Sequence, residues 1–229
     1  MTIAETDIGR PRSRRRRGAT SRAEVVAAAL AVADSVGLDG FTIRAVARFA
    51  SVPTMSLYTH FTSKEELLDL MHAEVVLRLY ADDEYSSWQL GVLALCNRIR
   101  STLIAHPHWV PLLSRAAMPL AIPLRERLLN LMVADGMAPG AAFVALSSAA
   151  LAAVGLVLVE LELTRTEGPS SVRQRFARMR EWARGPACVG YPTTRQALTS
   201  VEAFDLNRNF ALAMDTFVKG LELTRAARA

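Results

Sequence analysis

The chain has 229 residues, of which 51% are hydrophobic, so it can bury a sizeable core as one large domain or two small ones. The formal net charge is +5, but residues 1–22 hold seven Arg against two acidic residues, which leaves the rest of the chain neutral. Cys96 and Cys188 lie far apart with no Cys-x-x-Cys, which argues against a zinc knuckle or a disulfide framework and fits a reducing cytoplasm.

The first 18 residues are polar and rich in Arg, without a periodic apolar pattern, and predict a disordered arm. Arg is well suited to phosphates and to the minor groove of DNA, whereas the alternative is a solvated tail that only raises solubility. The Arg residues of this arm that we expect to contact DNA are Arg14, Arg15, Arg16 and Arg17.

A helix is predicted from Thr20 to Val36, where apolar residues recur at helical spacing. Ser21 and Glu24 fit a capping box at its start, and Gly37 fits its C-terminal end. Charged residues interrupt the apolar stripe, so the segment does not resemble a secretion signal. We expect this helix to brace the segment that follows.

Residues 42–60 predict two short helices joined by a tight turn, a helix-turn-helix unit. Thr42 is a good N-cap for the first helix, and Pro53 suits the first turn of the second. Ser51 occupies the turn, and Leu57 returns to the small core.

The second of these helices leaves hydroxyl, phenol and imidazole groups facing outward. Such groups add little stability, but they match the donors, acceptors and thymine methyls of a DNA major groove. The alternative is a surface helix of an unrelated α-protein. The outward residues are Thr54, Met55, Ser56, Tyr58, Thr59 and His60.

The run Leu-Tyr-Thr-His-Phe-Thr-Ser-Lys at 57–64, with Gly40-Phe41-Thr42 and Val46-Ala47 before it, resembles the N-terminal domain of the TetR/AcrR family of repressors. The resemblance implies that Thr42 and Arg44 contact phosphates or neighbouring bases, and that Lys64 holds a phosphate from the next helix. It also implies that Tyr58 bonds a phosphate, while the other outward residues of the second helix lie over base edges. Three departures from the family pattern, at Ser51, Pro53 and Met55, concern the target sequence rather than the binding mode. The family's turn residue is usually Gly, so the resemblance implies a slightly strained backbone at Ser51.

The rest of the chain reads as helical almost throughout, so the predicted fold is all-α. Ser63 and Glu66 fit a second capping box, which begins a helix that links the head to the remainder. Residues 164–203 are the least regular part. The predicted organisation is a disordered arm at 1–18, a helix-turn-helix DNA-binding domain at 19–65, and a ligand-binding and dimerisation domain at 66–229.

Residues 141–159 contain no charged side chain. This segment is long enough for a membrane span or for a helix buried in a bundle. Aromatic and basic anchors are absent from its ends, so we favour the bundle. The last helix, predicted over 204–225, carries a narrow apolar seam that calls for a partner helix. A homodimer would satisfy both helices, and intramolecular packing is the alternative; the predicted interface comprises Leu151, Val154, Leu158, Phe210, Met214, Phe217 and Leu221.

Catalytic signatures are missing: there is no Gly-x-Ser-x-Gly, no Gly-rich phosphate loop and no His-Glu-x-x-His. His106 and His108 are two residues apart and would point away from each other on a helix. We therefore predict neither an enzyme, nor a cofactor, nor a metal. The family resemblance implies an effector cavity, for which the candidate residues are His106, His108, Trp109, Met118, Met132, Phe143 and Leu146, although apolar residues at this spacing are more often core.

Together these features predict a cytoplasmic, dimeric, ligand-responsive transcriptional regulator. As the family likeness implies, it would be a repressor released from a pseudo-palindromic DNA operator by a small apolar effector. A different class remains open, an α-helical carrier or enzyme for an apolar ligand with an incidental N-terminal unit. A membrane-attached regulator that spans at 141–159 is a third possibility.

Overall fold

The structure, a computed structural model, describes residues 20–80, 84–115, 118–167, 171–201 and 205–226. Every regular element within these ranges is helical, which confirms the all-α fold. A 3-10 helix at Pro107–Ser114, which we call the connecting segment, joins the fifth and sixth α-helices. The α-helices of the described ranges are α1 (Arg22–Val36), α2 (Ile43–Ala50), α3 (Thr54–Leu57), α4 (Lys64–Leu79), α5 (Trp88–Ala105), α6 (Met118–Ala134), α7 (Pro139–Glu167), α8 (Ser171–Arg184), α9 (Pro192–Ser200) and α10 (Leu206–Ala226).

The first helix has the caps that its sequence predicts. The Ser21 hydroxyl accepts from the Glu24 amide at 3.2 Å, and the Glu24 carboxylate accepts from the Ser21 amide at 2.8 Å. At the other end Gly37 has φ 71° and donates its amide to the carbonyl of Ala33. These local bonds fix where α1 begins and ends.

The helix-turn-helix unit forms as predicted at its start and is shorter at its end. Thr42 caps α2, with its Oγ1 accepting from the Ala45 amide at 3.1 Å. Pro53, predicted in the first turn of the second helix, is instead its N-cap residue, with extended ψ 138°. α3 ends at Leu57, and residues 58–60 form a turn.

Ser51 occupies the left-handed region, with φ 56° and ψ 41°, where a Cβ is disfavoured. We expect Ser51→Gly to raise the free energy of unfolding by about 0.5–1 kcal/mol, the left-handed penalty less the greater chain entropy of Gly. Urea denaturation at a fixed protein concentration measures the change. Ser86→Gly is the matched control, because Ser86 is also exposed but has no positive φ, and this variant should be neutral or less stable. Equal effects at both positions would contradict the strain.

The start of α4 departs from the predicted capping box. Ser63 Oγ accepts from the Glu66 amide at 3.1 Å, as expected for an N-cap. The Glu66 carboxylate, however, accepts from the amide and the hydroxyl of Thr62, both at 2.7 Å, and these bonds lower its pKa, the backbone bond most. The predicted boundary between residues 65 and 66 thus falls inside the first turn of one continuous helix.

The connecting segment is joined to the N-terminal head at both of its ends. The imidazole of His106, just before it, donates to the Asp34 carboxylate of α1 at 2.9 Å. At the far end, Arg115 donates to the carboxylates of Asp69 and Glu65 on α4, at 2.7 and 2.9 Å. A movement of this segment would therefore pull on both α1 and α4.

α5, α7 and α10 pack together in the C-terminal part. Arg100 of α5 makes a two-pronged ion pair with Glu160 of α7, with N–O distances of 2.6 and 2.9 Å. The same guanidinium lies 5.3 Å from the ring centre of Phe210 on α10. The least regular predicted stretch, 164–203, includes the regular helices α8 and α9.

Burial corrects part of the predicted dimer interface. Phe210 and Met214 are each only 3% exposed and belong to the core of this protomer, because their seam packs against the chain's own helices. They are therefore not available to a second chain. Phe217 and Leu221 are partly buried against the same core.

α7 is long and apolar enough to cross a membrane by length and composition, and it is the one such helix among the described residues. Only 33% of its most apolar window is buried in the protomer. Its apolar surface thus exceeds what one copy of the described chain covers.

Candidate nucleic-acid interface

The outward side of α3 and the turn after it form a compact polar surface, which we call the reading surface. Met55, Ser56, Tyr58 and Thr59 are exposed there. The remaining two of the six sequence-predicted residues, Thr54 and His60, are half-buried at its edges. The structure therefore brings all six together on one side of the head.

The reading surface is held from below by a hydrophobic core. Leu57, Phe61 and Val46 are buried beneath it, and the rings of Tyr58 and Phe61 meet at a tilt with their centres 5.6 Å apart. A helix of four residues is too short to be stable alone, so this packing fixes its position.

Two hydroxyls of the reading surface are already engaged with the backbone. Ser56 Oγ donates to the Pro53 carbonyl at 2.6 Å, and Thr59 Oγ1 donates to the Ser56 carbonyl at 2.7 Å. With their protons directed inward, both oxygens offer lone pairs to an incoming donor.

Polar residues also flank the reading surface. Arg44 is exposed on the first turn of α2, beside the N-cap residue Thr42. Lys64 is less free than the family resemblance implies, because its ammonium donates to the Phe41 carbonyl at 2.9 Å and lies 5.6 Å from the Phe41 ring centre. An ammonium has three donors, so a phosphate contact by Lys64 stays a prediction.

The predicted DNA contacts of the N-terminal arm lie outside the described residues. The residues concerned are Arg14, Arg15, Arg16 and Arg17.

The described residues among those predicted for an effector cavity differ in their burial. Phe143 is 43% exposed on the outside of α7, whereas Met132 and Leu146 are buried in the core. His106 stacks on the buried ring of Trp109, with centres 3.7 Å apart, at the junction with α1.

His108 and Met118 are the two further candidates for the cavity. His108 is exposed and its imidazole lies close to Gly37. Met118 begins α6, and its side chain lies outside what the structure describes. An effector cavity lined by these residues therefore stays a prediction.

Polar groups that the sequence did not single out do lie inside the C-terminal part. Arg125 is half-buried, with its guanidinium 5.4 Å from the ring centre of Tyr80. Burial raises the pKa of the Tyr80 phenol, and it raises the pKa of the Cys96 thiol to about 12, so both stay neutral at physiological pH. No sequence pattern distinguishes Arg125 from its exposed neighbours Glu126 and Arg127.

Among the residues that the structure describes, no group of three or more His, Cys, Asp or Glu could hold a metal ion. A short, outward-facing second helix on a three-helix head defines a DNA-binding transcriptional regulator of the helix-turn-helix class.

Sequence comparison identifies the family. The chain belongs to the tetR family of bacterial regulatory proteins: the family's N-terminal profile matches residues 25–71, and the tetracyclin repressor-like C-terminal domain matches residues 80–225. These matches also confirm the resemblance on which the DNA-binding prediction rests.

Individual relatives are more distant. The HTH-type transcriptional repressor DrrR1 of Streptomyces coeruleorubidus is 31% identical over 156 residues, 59% of this chain and 57% of that protein. The class D tetracycline repressor protein of Escherichia coli is 23% identical over 90% of this chain and 91% of its own. Apo ActR from Streptomyces coelicolor shares the fold, with a TM-score of 0.72, 20% identity and coverage of 92% of this chain and 98% of ActR.

Proposed function

We propose that this protein is a homodimeric repressor that binds a pseudo-palindromic operator and is released by a small, largely apolar effector. The reading surface carries the proposal, because Ser56, Tyr58 and Thr59 are exposed there and none of them belongs to the buried core of the protomer. Two such surfaces related by two-fold symmetry would enter successive major grooves.

The proposed dimer forms through α7 and α10. Val144, Leu151 and Leu158 lie seven residues apart on α7 and are all exposed, and Leu212 and Leu223 are exposed on the neighbouring α10. A heptad-spaced apolar stripe is typical of a helix–helix interface. We retain Leu151, Val154 and Leu158 from the predicted interface and add the outward leucines of α10.

The proposed effector binds in the C-terminal part and acts on the head through the connecting segment. Solved structures with the same fold include ActR from Streptomyces coelicolor in complex with actinorhodin and a TetR variant of Acinetobacter baumannii in complex with minocycline. In this chain, His72 of α4 donates a buried hydrogen bond of 2.6 Å to the Leu112 carbonyl of the connecting segment. An effector that favours a different position of this segment would shift the head and change the spacing of the two reading surfaces.

The proposed place of action is the cytoplasm, where the operator is accessible, and the proposed activity is binding rather than catalysis. A carrier or enzyme for an apolar ligand would bind no specific DNA. The two classes therefore differ in a gel shift with the DNA upstream of the coding region.

We expect Tyr58→Ala and His60→Ala each to weaken operator binding about tenfold or more while the protein stays folded. Fluorescence anisotropy at a fixed salt concentration measures the affinity, and circular dichroism checks the fold. Tyr191→Ala, at an exposed tyrosine before α9, should bind like the wild type. Undiminished affinity in both head variants would contradict the assignment of the reading surface.

A further inference from the structure

We propose that Met55 determines operator sequence by packing against the 5-methyl group of a thymine in each half-site. The inference rests on the proposed function, because it assumes that α3 lies in the major groove. It adds a chemical requirement for the operator that DNA binding alone does not imply.

Met55 is the most exposed large hydrophobic side chain among the described residues, at 76%. It occupies the second position of α3, and Ser56 beside it and Thr59 in the following turn are also exposed on the reading surface. Since the side chain contributes nothing to the protomer's core, its apolar surface is free to be covered by a ligand.

The neighbours of Met55 restrict what this surface can recognise. From Thr54 to His60 there is no Arg, Lys, Asn or Gln, the side chains that bind guanine or adenine through paired hydrogen bonds. Ser56 and Thr59 have their hydroxyl protons bonded to backbone carbonyls, so they face outward as acceptors. Acceptors match the amino groups of adenine and cytosine.

An A·T pair presents both complementary groups on its major-groove edge, the adenine amino group and the thymine methyl. Hydroxyl acceptors at Ser56 and Thr59, exposed on the same surface as the apolar side chain of Met55, therefore favour A·T pairs under α3. The unbranched thioether can adjust its torsions to cover the methyl group.

The test compares thymine with deoxyuridine, which lacks only the methyl group. A half-site is selected from random DNA with the wild-type chain, and each thymine is replaced in turn by deoxyuridine. For the wild type we expect one position per half-site at which the replacement weakens binding about fourfold, the value of one buried methyl group.

At that position Met55→Ala should bind thymine and deoxyuridine DNA equally, whereas Met55→Leu should still prefer thymine. Phe49→Ala is the matched control, because Phe49 is also an exposed apolar residue of the head but lies on α2, and it should keep the full preference. If Met55→Ala keeps the preference, or if no thymine methyl affects the wild type, the inference is wrong although the chain binds DNA. A wild-type chain that selects no DNA would instead refute the proposed function and this inference with it.

Discussion

Replacing Arg100 with Met is expected to lower the free energy of unfolding by about 3–5 kcal/mol. The Arg100 and Glu160 side chains are only 16% and 13% exposed, so removal of the cation leaves a carboxylate largely shielded from water. The replacement also removes the contact between the guanidinium and the ring of Phe210, so α5 loses a side chain that contacts both α7 and α10.

The size of this effect should come mainly from the unpaired Glu160 rather than from the lost bond itself. The double variant Arg100→Met with Glu160→Leu is therefore expected to regain most of the stability, since it leaves no buried charge. Urea denaturation at one protein concentration measures all variants, because dimer stability depends on concentration.

Arg165→Met is the matched control for this experiment. Arg165 also makes a short ion pair, with Glu162 at 2.8 Å, but both side chains are mostly exposed. Solvent screens such a pair, so its loss should have no measurable effect on stability. A large loss in the control, or a double variant as unstable as the single one, would show that burial of charge is not the cause.

The helices of the head could be predicted from the sequence because their signals are local. Ser21 with Glu24, Gly37 and Thr42 each act on backbone groups within four residues, and all of them lie where the sequence predicted. The strain at Ser51 could also be expected, because this residue stands at the turn position where the family usually has Gly, and its backbone is left-handed.

Contacts between distant segments could not be predicted in this way. The seam of Phe210 and Met214 has the same spacing whether it packs on its own chain or on a second one, so the pattern predicts burial without identifying the partner. One local prediction also failed. The Glu66 carboxylate accepts from the amide and the hydroxyl of Thr62, whereas the predicted capping box would have used the amide of Ser63.

The candidate effector residues show the same limit. Phe143 and Leu146 lie about one helical turn apart on α7, yet Phe143 is exposed and Leu146 is buried. Arg125 is another example, because its approach to Tyr80 depends on how α6 crosses the end of α4. The grouping of the six residues of the reading surface could be predicted because they are nearly contiguous in the sequence. The walls of a cavity, in contrast, come from several helices.

Leu151→Arg is expected to convert the proposed dimer into a monomer. Leu151 is 72% exposed in the middle of the apolar stripe of α7, so an Arg at this position does not disturb the protomer's core. In the dimer the same position would face apolar surface of the second copy, where two symmetry-related guanidinium groups would be desolvated and would repel each other. Size-exclusion chromatography with light scattering should give the 25.0 kDa of one chain instead of twice that mass.

Loss of the dimer should in turn lower operator affinity at least a hundredfold, because the second head no longer binds as part of the same molecule. Leu77→Arg is the matched control: Leu77 is also an exposed leucine, but it lies on α4 rather than on the α7 and α10 stripe, so this variant should remain dimeric and bind. A dimeric Leu151→Arg variant would move the interface away from α7. A monomeric variant with undiminished operator affinity would instead separate dimerisation from DNA recognition, since a single reading surface would then suffice.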